Sequence, residues 1–132
     1  MKKIFLNTAA SETTLHLLDN ATILDMKAWP SKHNQTEDLL KEVDLLLKKN
    51  NLIPSDIGVI YVYQGPGSYT GLRVGITTAN LFAFCLNIPV IGFAEGEQIE
   101  EVAKQAQPVG FQGAIMPFYG REPFITKEKA RL

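Results

Sequence analysis

The chain has 132 residues, 13 basic and 14 acidic side chains, and a formal net charge of −1. That length suits one domain with a core of its own, and the balanced charge leaves no basic face of the kind that grips tRNA or DNA unaided. A single cysteine, Cys85, rules out an internal disulfide and a cysteine metal site, and fits a reducing, cytoplasmic setting.

In chain order, "MKKIFLNTAAS" opens with an apolar run too short for a secretory leader, and no run reaches the ~18 apolar residues of a membrane helix. "KKIFL" reads as a strand ending at Asn7. "TTLHLL" and "ATILDMKAW" read as two more strands, joined at Asp19-Asn20, a pair that tolerates left-handed backbone angles. Pro30 stops the third. These three form an antiparallel meander. "NQTEDLLKEVDLLLKKNN" is a helix. Thr36 is its candidate cap, and Glu37 and Asp38 sit in the first turn, where the helix dipole favours acids. Leu39, Leu40, Val43, Leu46 and Leu47 make its apolar stripe, and Asn50 and Asn51 end it. "IGVIYVY" is a buried strand. A glycine-rich turn and a nearly uncharged helix follow, then a strand in "IPVIGF" and a polar-faced helix in "EGEQIEEVAKQA". "GAIMPFYG" is a last strand or an extended segment against the core. Three strands, then alternating helices and strands, indicate an α/β layer fold with a mixed sheet.

The turn, Gly65-Pro66-Gly67-Ser68-Tyr69-Thr70-Gly71, fails two phosphate and nucleophile templates. A Walker loop needs lysine after its last glycine, and Leu72 stands there. A nucleophile elbow needs glycines two residues either side of its serine, and Pro66 and Thr70 stand there. A dinucleotide reading is closer, with Gly65, Gly67 and Gly71 between strand and helix and Glu95 at the end of the next strand. Against it, Pro66 lacks a backbone donor. The plain alternative is a tight turn using glycine's backbone freedom. That alternative leaves unexplained two hydroxyls, Ser68 and Thr70, at a helix start that favours anions.

On the helix that follows, Arg73, Thr77, Asn80 and Phe84 form one narrow polar stripe, and the apolar arc is wide. Gly71, Gly75, Ala79 and Ala83 recur every four residues as a smooth ridge that admits a close helix neighbour. That neighbour is the preceding helix, a second chain, or both. The expected partner interface is Leu39, Val43 and Leu46 on the first helix with Gly71, Gly75, Ala79, Phe82 and Ala83 on the second. On that reading, leucine at Ala79 or Ala83 breaks association and leaves the helix intact.

These residues carry a resemblance. "QGPGSYTGLRVGITTAN" followed by "LNIPVIGF" is similar to the signature of the TsaB (YeaZ) family, the non-catalytic partner of the TsaD enzyme in making threonylcarbamoyladenosine on tRNA. "IFLNTAAS", "SKHNQTEDLLKEVDLLLKKNNL" and the closing "MPFYGREPFITKEKARL" add weaker likeness. The resemblance implies a single ribonuclease-H-like lobe of the actin-like ATPase superfamily, with a mixed sheet, three antiparallel strands and flanking helices. It implies a cytoplasmic scaffold that binds a TsaD-like enzyme through its two helices, with a TsaE-like ATPase nearby, and a homodimer when that enzyme is absent. It implies no catalytic residues, no metal and no cofactor of its own, and leaves room for ATP or ADP at an interface with the partner. The competing reading is a small nucleotide-binding ATPase-like enzyme that uses the glycine loop. Asn7 departs from the family's opening aspartate and removes a charge that would hold Mg²⁺. The family's second lobe has no counterpart, so the expectation is a main lobe over 1–106 with a terminal segment, 107–132, packed upon it.

The remaining candidates read plainly. His16 alternates with Leu15 and Leu17 and is expected to face solvent or a partner. His33 has no second histidine one turn on. Glu95, Glu97, Glu100 and Glu101 crowd a helix start. Trp29 is an edge contact, Tyr119 and Arg121 anchor the tail, and "TKEKARL" is a solvated end.

Overall fold

The computed structural model describes residues 1–32 and 35–118. Three strands, β1 (Lys2–Asn7), β2 (Glu12–Asp19) and β3 (Thr22–Pro30), precede the helix α1 (Thr36–Lys49). β4 (Ile57–Gly65), α2 (Tyr69–Leu86), β5 (Val90–Ala94) and the short α3 (Ile99–Ala103) follow. One five-stranded sheet has the order β3-β2-β1-β4-β5. β1 pairs antiparallel with β2, with Ile4 opposite Leu17, and parallel with β4, with Ile4 opposite Ile60. β5 continues the parallel half. The mixed α/β architecture is the one expected. "GAIMPFYG" is the extended segment of the two alternatives, with no strand assigned from Gly113 to Phe118.

Local chemistry explains the boundaries. Asn20, at φ +54°, turns β2 into β3, with Asp19 paired to Thr22 across the bend. α1 begins one residue earlier than a Thr36 cap would place it. Gln35 is the cap, without a side-chain bond, and Thr36 is the first helical residue. The helix ends on Asn50, whose Nδ2 donates to Leu46 O at 2.9 Å and to Asp25 Oδ2 at 3.0 Å. Those contacts hold the Asp25 carboxyl below its usual range, the Asn50 amide contributing most, then the Met26 N–H. α2 is capped by Ser68, whose Oγ accepts from Gly71 N at 3.1 Å. Asn87, at φ +54°, closes it.

The sheet has two unequal faces. α1 and α2 cover the front, where Ile4, Leu6, Leu15, Ile60 and Val62 meet Leu39, Leu47, Leu72 and Ala79. The back carries Phe5, Val59, Tyr61 and Phe93 under α3. Tyr61 stacks on Phe5 with ring centroids 4.1 Å apart. Its hydroxyl is buried without a hydrogen-bond partner, and burial pushes the phenol up to about 12. Lys3 is also buried on this side, and its ammonium donates to Ala103 O. No helix among the described residues is long and apolar enough to cross a membrane.

His16 sits opposite Phe5 on the back face and is half-buried, so it does not face open solvent, one of the two positions its alternation suggests. α3 packs on the same face through Val102 and Ala103, with Glu100 near enough to act on the His16 imidazole. Desolvation pushes its imidazole below the unperturbed value of 6.5, with Glu100 opposing. A base with a depressed folded pKa binds fewer protons than the unfolded chain, so stability is lost as pH falls through 6.5 and below. The melting temperature should therefore drop between pH 7 and pH 5, and drop less in His16→Gln. Equal drops in a thermal melt would assign the acid sensitivity to other groups.

Candidate functional site

The carboxyl ends of β1, β4 and β5 converge on one side of the sheet, the place where open α/β sheets form their clefts. The glycine turn leaves β4 there. Gly65 has φ +128°, a conformation that only glycine adopts readily, and the Gly65-Pro66 bond is cis. Tyr63 OH donates to Pro66 O at 2.6 Å and pins the turn from below.

Three of the turn's features are accounted for by the chain's own packing. Thr8 lies under the first turns of α2, and its hydroxyl donates to Gly71 O. A methyl group on Gly75 would sit 2.3 Å from Thr8 Oγ1, and one on Gly71 2.6 Å from Thr8 O. A methyl group on Gly65 would collide with Phe118 O. Ser68 is committed to capping α2. Asn7 uses its side-chain oxygen to accept from Ala9 N at 2.9 Å, which shapes the turn after β1.

A cleft of about 310 Å³ opens beside this turn, lined by Asn7, Tyr63, Pro66, Phe93, Glu95 and Glu97. The charged side chains among those lining it are carboxylates, and a site of that sign repels a polyphosphate. Glu95 and burial together raise the Tyr63 phenol above its usual range, burial contributing more. Glu97 accepts from Ala94 N at 2.7 Å, so it folds the β5–α3 loop upon itself. Behind the turn, a hollow of about 270 Å³ is lined by hydroxyls from Thr8, Ser31, Ser68 and Thr70.

The helical layer departs from expectation in one important respect. Leu39, Val43, Leu46, Ala79 and Ala83 are at most 4% exposed, and Phe82 is 7% exposed. Gly75 is buried against Thr8. The small-residue ridge therefore faces β1 and the sheet, while Val43 and Phe82 of the expected interface also line the groove between α1 and α2. The physical reason is that small residues let α2 lie close upon the sheet, a use indistinguishable by spacing from a helix–helix contact. The polar stripe is placed as read: Arg73 and Thr77 are exposed, Asn80 is half-buried and Phe84 is 66% exposed. Arg73 stacks over the Tyr69 ring at 5.2 Å and bonds its hydroxyl at 3.2 Å.

The apolar surface that remains open lies between α1 and α2 on their outer side. Leu40, Val43, Asp44, Pro54, Leu81, Phe82, Cys85 and Leu86 surround a groove of about 320 Å³. Leu81 is 43% exposed and Leu45 and Ile53 more so. The sequence carried a signal for it: Leu81 and Cys85 continue beside the polar stripe of α2, opposite the small-residue ridge. Trp29 packs partly into the front core, with Lys27 over its ring. His33, Tyr119 and Arg121 lie outside the described residues.

Comparison with known proteins follows the same lines. The family model for TsaD, tRNA N6-adenosine threonylcarbamoyltransferase, matches residues 30–111. The tRNA threonylcarbamoyladenosine biosynthesis protein TsaB of Bacillus subtilis is 29% identical over 119 residues, which span 90% of this chain and 50% of that protein. A tRNA N6-adenosine threonylcarbamoyltransferase from Onion yellows phytoplasma is 33% identical over 91 residues, 69% of this chain and 37% of that one. Among solved structures, YeaZ from Pseudomonas aeruginosa superposes with a TM-score of 0.63 at 26% identity, covering 71% of this chain and 45% of that chain. This chain thus spans half or less of the length of these relatives.

The inward ridge gives two outcomes to measure. Gly75→Ala should cost about 1–3 kcal/mol in a denaturant titration, and less in a Thr8→Ala background, where the obstructing hydroxyl is gone. Ala79→Leu and Ala83→Leu should lower the melting temperature of the chain itself, because each leucine is forced into a filled core. A near-wild-type melt for all three would show that the ridge is not packed on the sheet.

Proposed function

The chain belongs to the TsaD family, and from that membership we propose that it is a non-catalytic docking subunit in the synthesis of N6-threonylcarbamoyladenosine on tRNA. Its partner is a TsaD-like enzyme, and the contact is a helical one made by the outer side of α1 and α2. The observation that carries this reading is the open apolar groove around Leu81 and Cys85, closed on the α1 side by Leu40 and Val43 and by Pro54. Exposed apolar surface of this kind, with a charged residue, Asp44, on its rim, is typical of a protein contact.

The cleft by the glycine turn supports the non-catalytic half of the reading. Its side-chain charge is negative, Asn7 supplies an amide where the family's aspartate would supply charge, and Ser68 is held by Gly71 N. A TsaE-like ATPase and a second copy of the chain are further candidates for the same complex. ATP or ADP, if present, belongs at a boundary with the partner.

Two measurements test this. Leu81→Asp and Cys85→Asp place a carboxylate on the open face, where each native side chain is already exposed. Co-purification with the TsaD-like enzyme of the same cell should fall by about tenfold or more, with an unchanged circular dichroism spectrum. Retained binding in both variants would contradict docking at this face. The isolated chain should hydrolyse ATP no faster than buffer, and turnover that Ser68→Ala abolishes would contradict the silent cleft.

A further inference from the structure

On the flank of α2 away from α1, the layer is completed by an extended strap, Phe111–Phe118. Its fastening differs from that of the sheet strands. Ile115 N donates to Asn80 Oδ1 at 3.0 Å, and Asn80 Nδ2 returns a bond to Ile115 O at 3.1 Å. Phe111 N donates to Asn87 Oδ1 at 3.1 Å, and Gln64 Nε2 donates to Met116 O at 2.7 Å. Phe118 N reaches the backbone at Gln64 O, 2.7 Å away. Four of these five bonds run through side-chain amides, whereas β4 is held by backbone ladders on both edges.

The strap buries little. Phe111 and Ile115 are half-buried, while Met116 is 71% exposed and Phe118 54%. Gly110 and Gly113, at φ +83° and +115°, bracket its first anchor. A segment with few buried apolar contacts and mostly side-chain fastenings opens at a fraction of the free energy of the core. Phe111 meets Phe84 edge-on, with ring centroids 5.5 Å apart and planes at 81°. Phe84 and Asn80 stand on the α2 stripe with Arg73 and Thr77, beside Leu81.

We propose that Phe111–Phe118 is a latch that opens locally and sets how much of α2 a partner can reach. Latched, α2 offers Arg73, Thr77, Leu81 and Cys85. Released, it adds the Asn80 and Asn87 amide groups that the strap holds and the side of the Phe84 ring that Phe111 covers. This rests on the docking reading for its purpose, while the opening itself is a property of the chain alone.

Amide hydrogen exchange on the full chain, resolved by residue, tests both halves. Alone, Ile115 and Phe118 should exchange at least about a hundredfold faster than Ile60, whose N–H is bonded to Pro89 O in the sheet. Asn80→Ala should speed Ile115 by about tenfold further and leave Ile60 unchanged. Phe111→Ala should act in the same direction. A single rate for Ile115 and Ile60 would overturn the latch, as would an Asn80→Ala effect equal at both. Adding the TsaD-like enzyme should accelerate Ile115. Unchanged or slowed exchange there in the complex would overturn the gating role. The free-chain comparison needs no partner, so it separates failure of the latch from failure of the docking reading.

Discussion

The contact between Thr8 and the first turns of α2 organises the rest of the lobe. Gly71 and Gly75 allow the helix to lie against the end of β1 without a side chain between them, and the Thr8 hydroxyl fastens the approach through Gly71 O. From that anchor α2 runs over the sheet with Leu72, Ile76, Ala79 and Ala83 turned inward. The glycine turn is then drawn close to Ala9, the cleft opens beside it, and α1 settles on one flank of α2. The loop that resembles a nucleotide-binding element is, in this chain, explained to a large extent by the demands of that one approach.

The consequence for function is a division of surfaces. The core takes the small-residue ridge, while the open apolar groove lies between α1 and α2 with Val43 and Phe82 at its base. Leu81 and Cys85 lie on the side of α2 away from the buried ridge, and Leu40, Val43 and Pro54 close the groove opposite them. The cleft, by contrast, is rimmed by carboxylates and by side chains already paired within the chain. Packing thus points function towards recognition by the helical layer.

Much of the fold was legible in the sequence because its signals are local. The alternation in "TTLHLL", the Asn20 turn, the acids in the first turn of α1 and the Asn50 stop each act over a few residues. The fold family was legible from the glycine signature. What sequence could not give was direction. Gly71, Gly75, Ala79 and Ala83 make a smooth ridge whatever lies above it, and only the position of Thr8 shows that it is the sheet. His16 alternates like a surface residue, yet α3, some eighty residues on, packs on the same face with Glu100 near it. The strap was legible as apolar, but its fastening by Gln64, Asn80 and Asn87 depends on distant amides that carry no spacing signal.

The central claim is that α2 turns its small-residue ridge inward and presents its outer side to the enzyme of the family. Methyl-resolved nuclear magnetic resonance of the chain, titrated with the TsaD-like enzyme, addresses both parts at once. The account predicts large shifts or broadening at the Leu81 and Leu40 methyl groups, with those of Ala79 and Ala83 nearly unmoved. Perturbation concentrated at Ala79 and Ala83, with Leu81 and Leu40 silent, would contradict it.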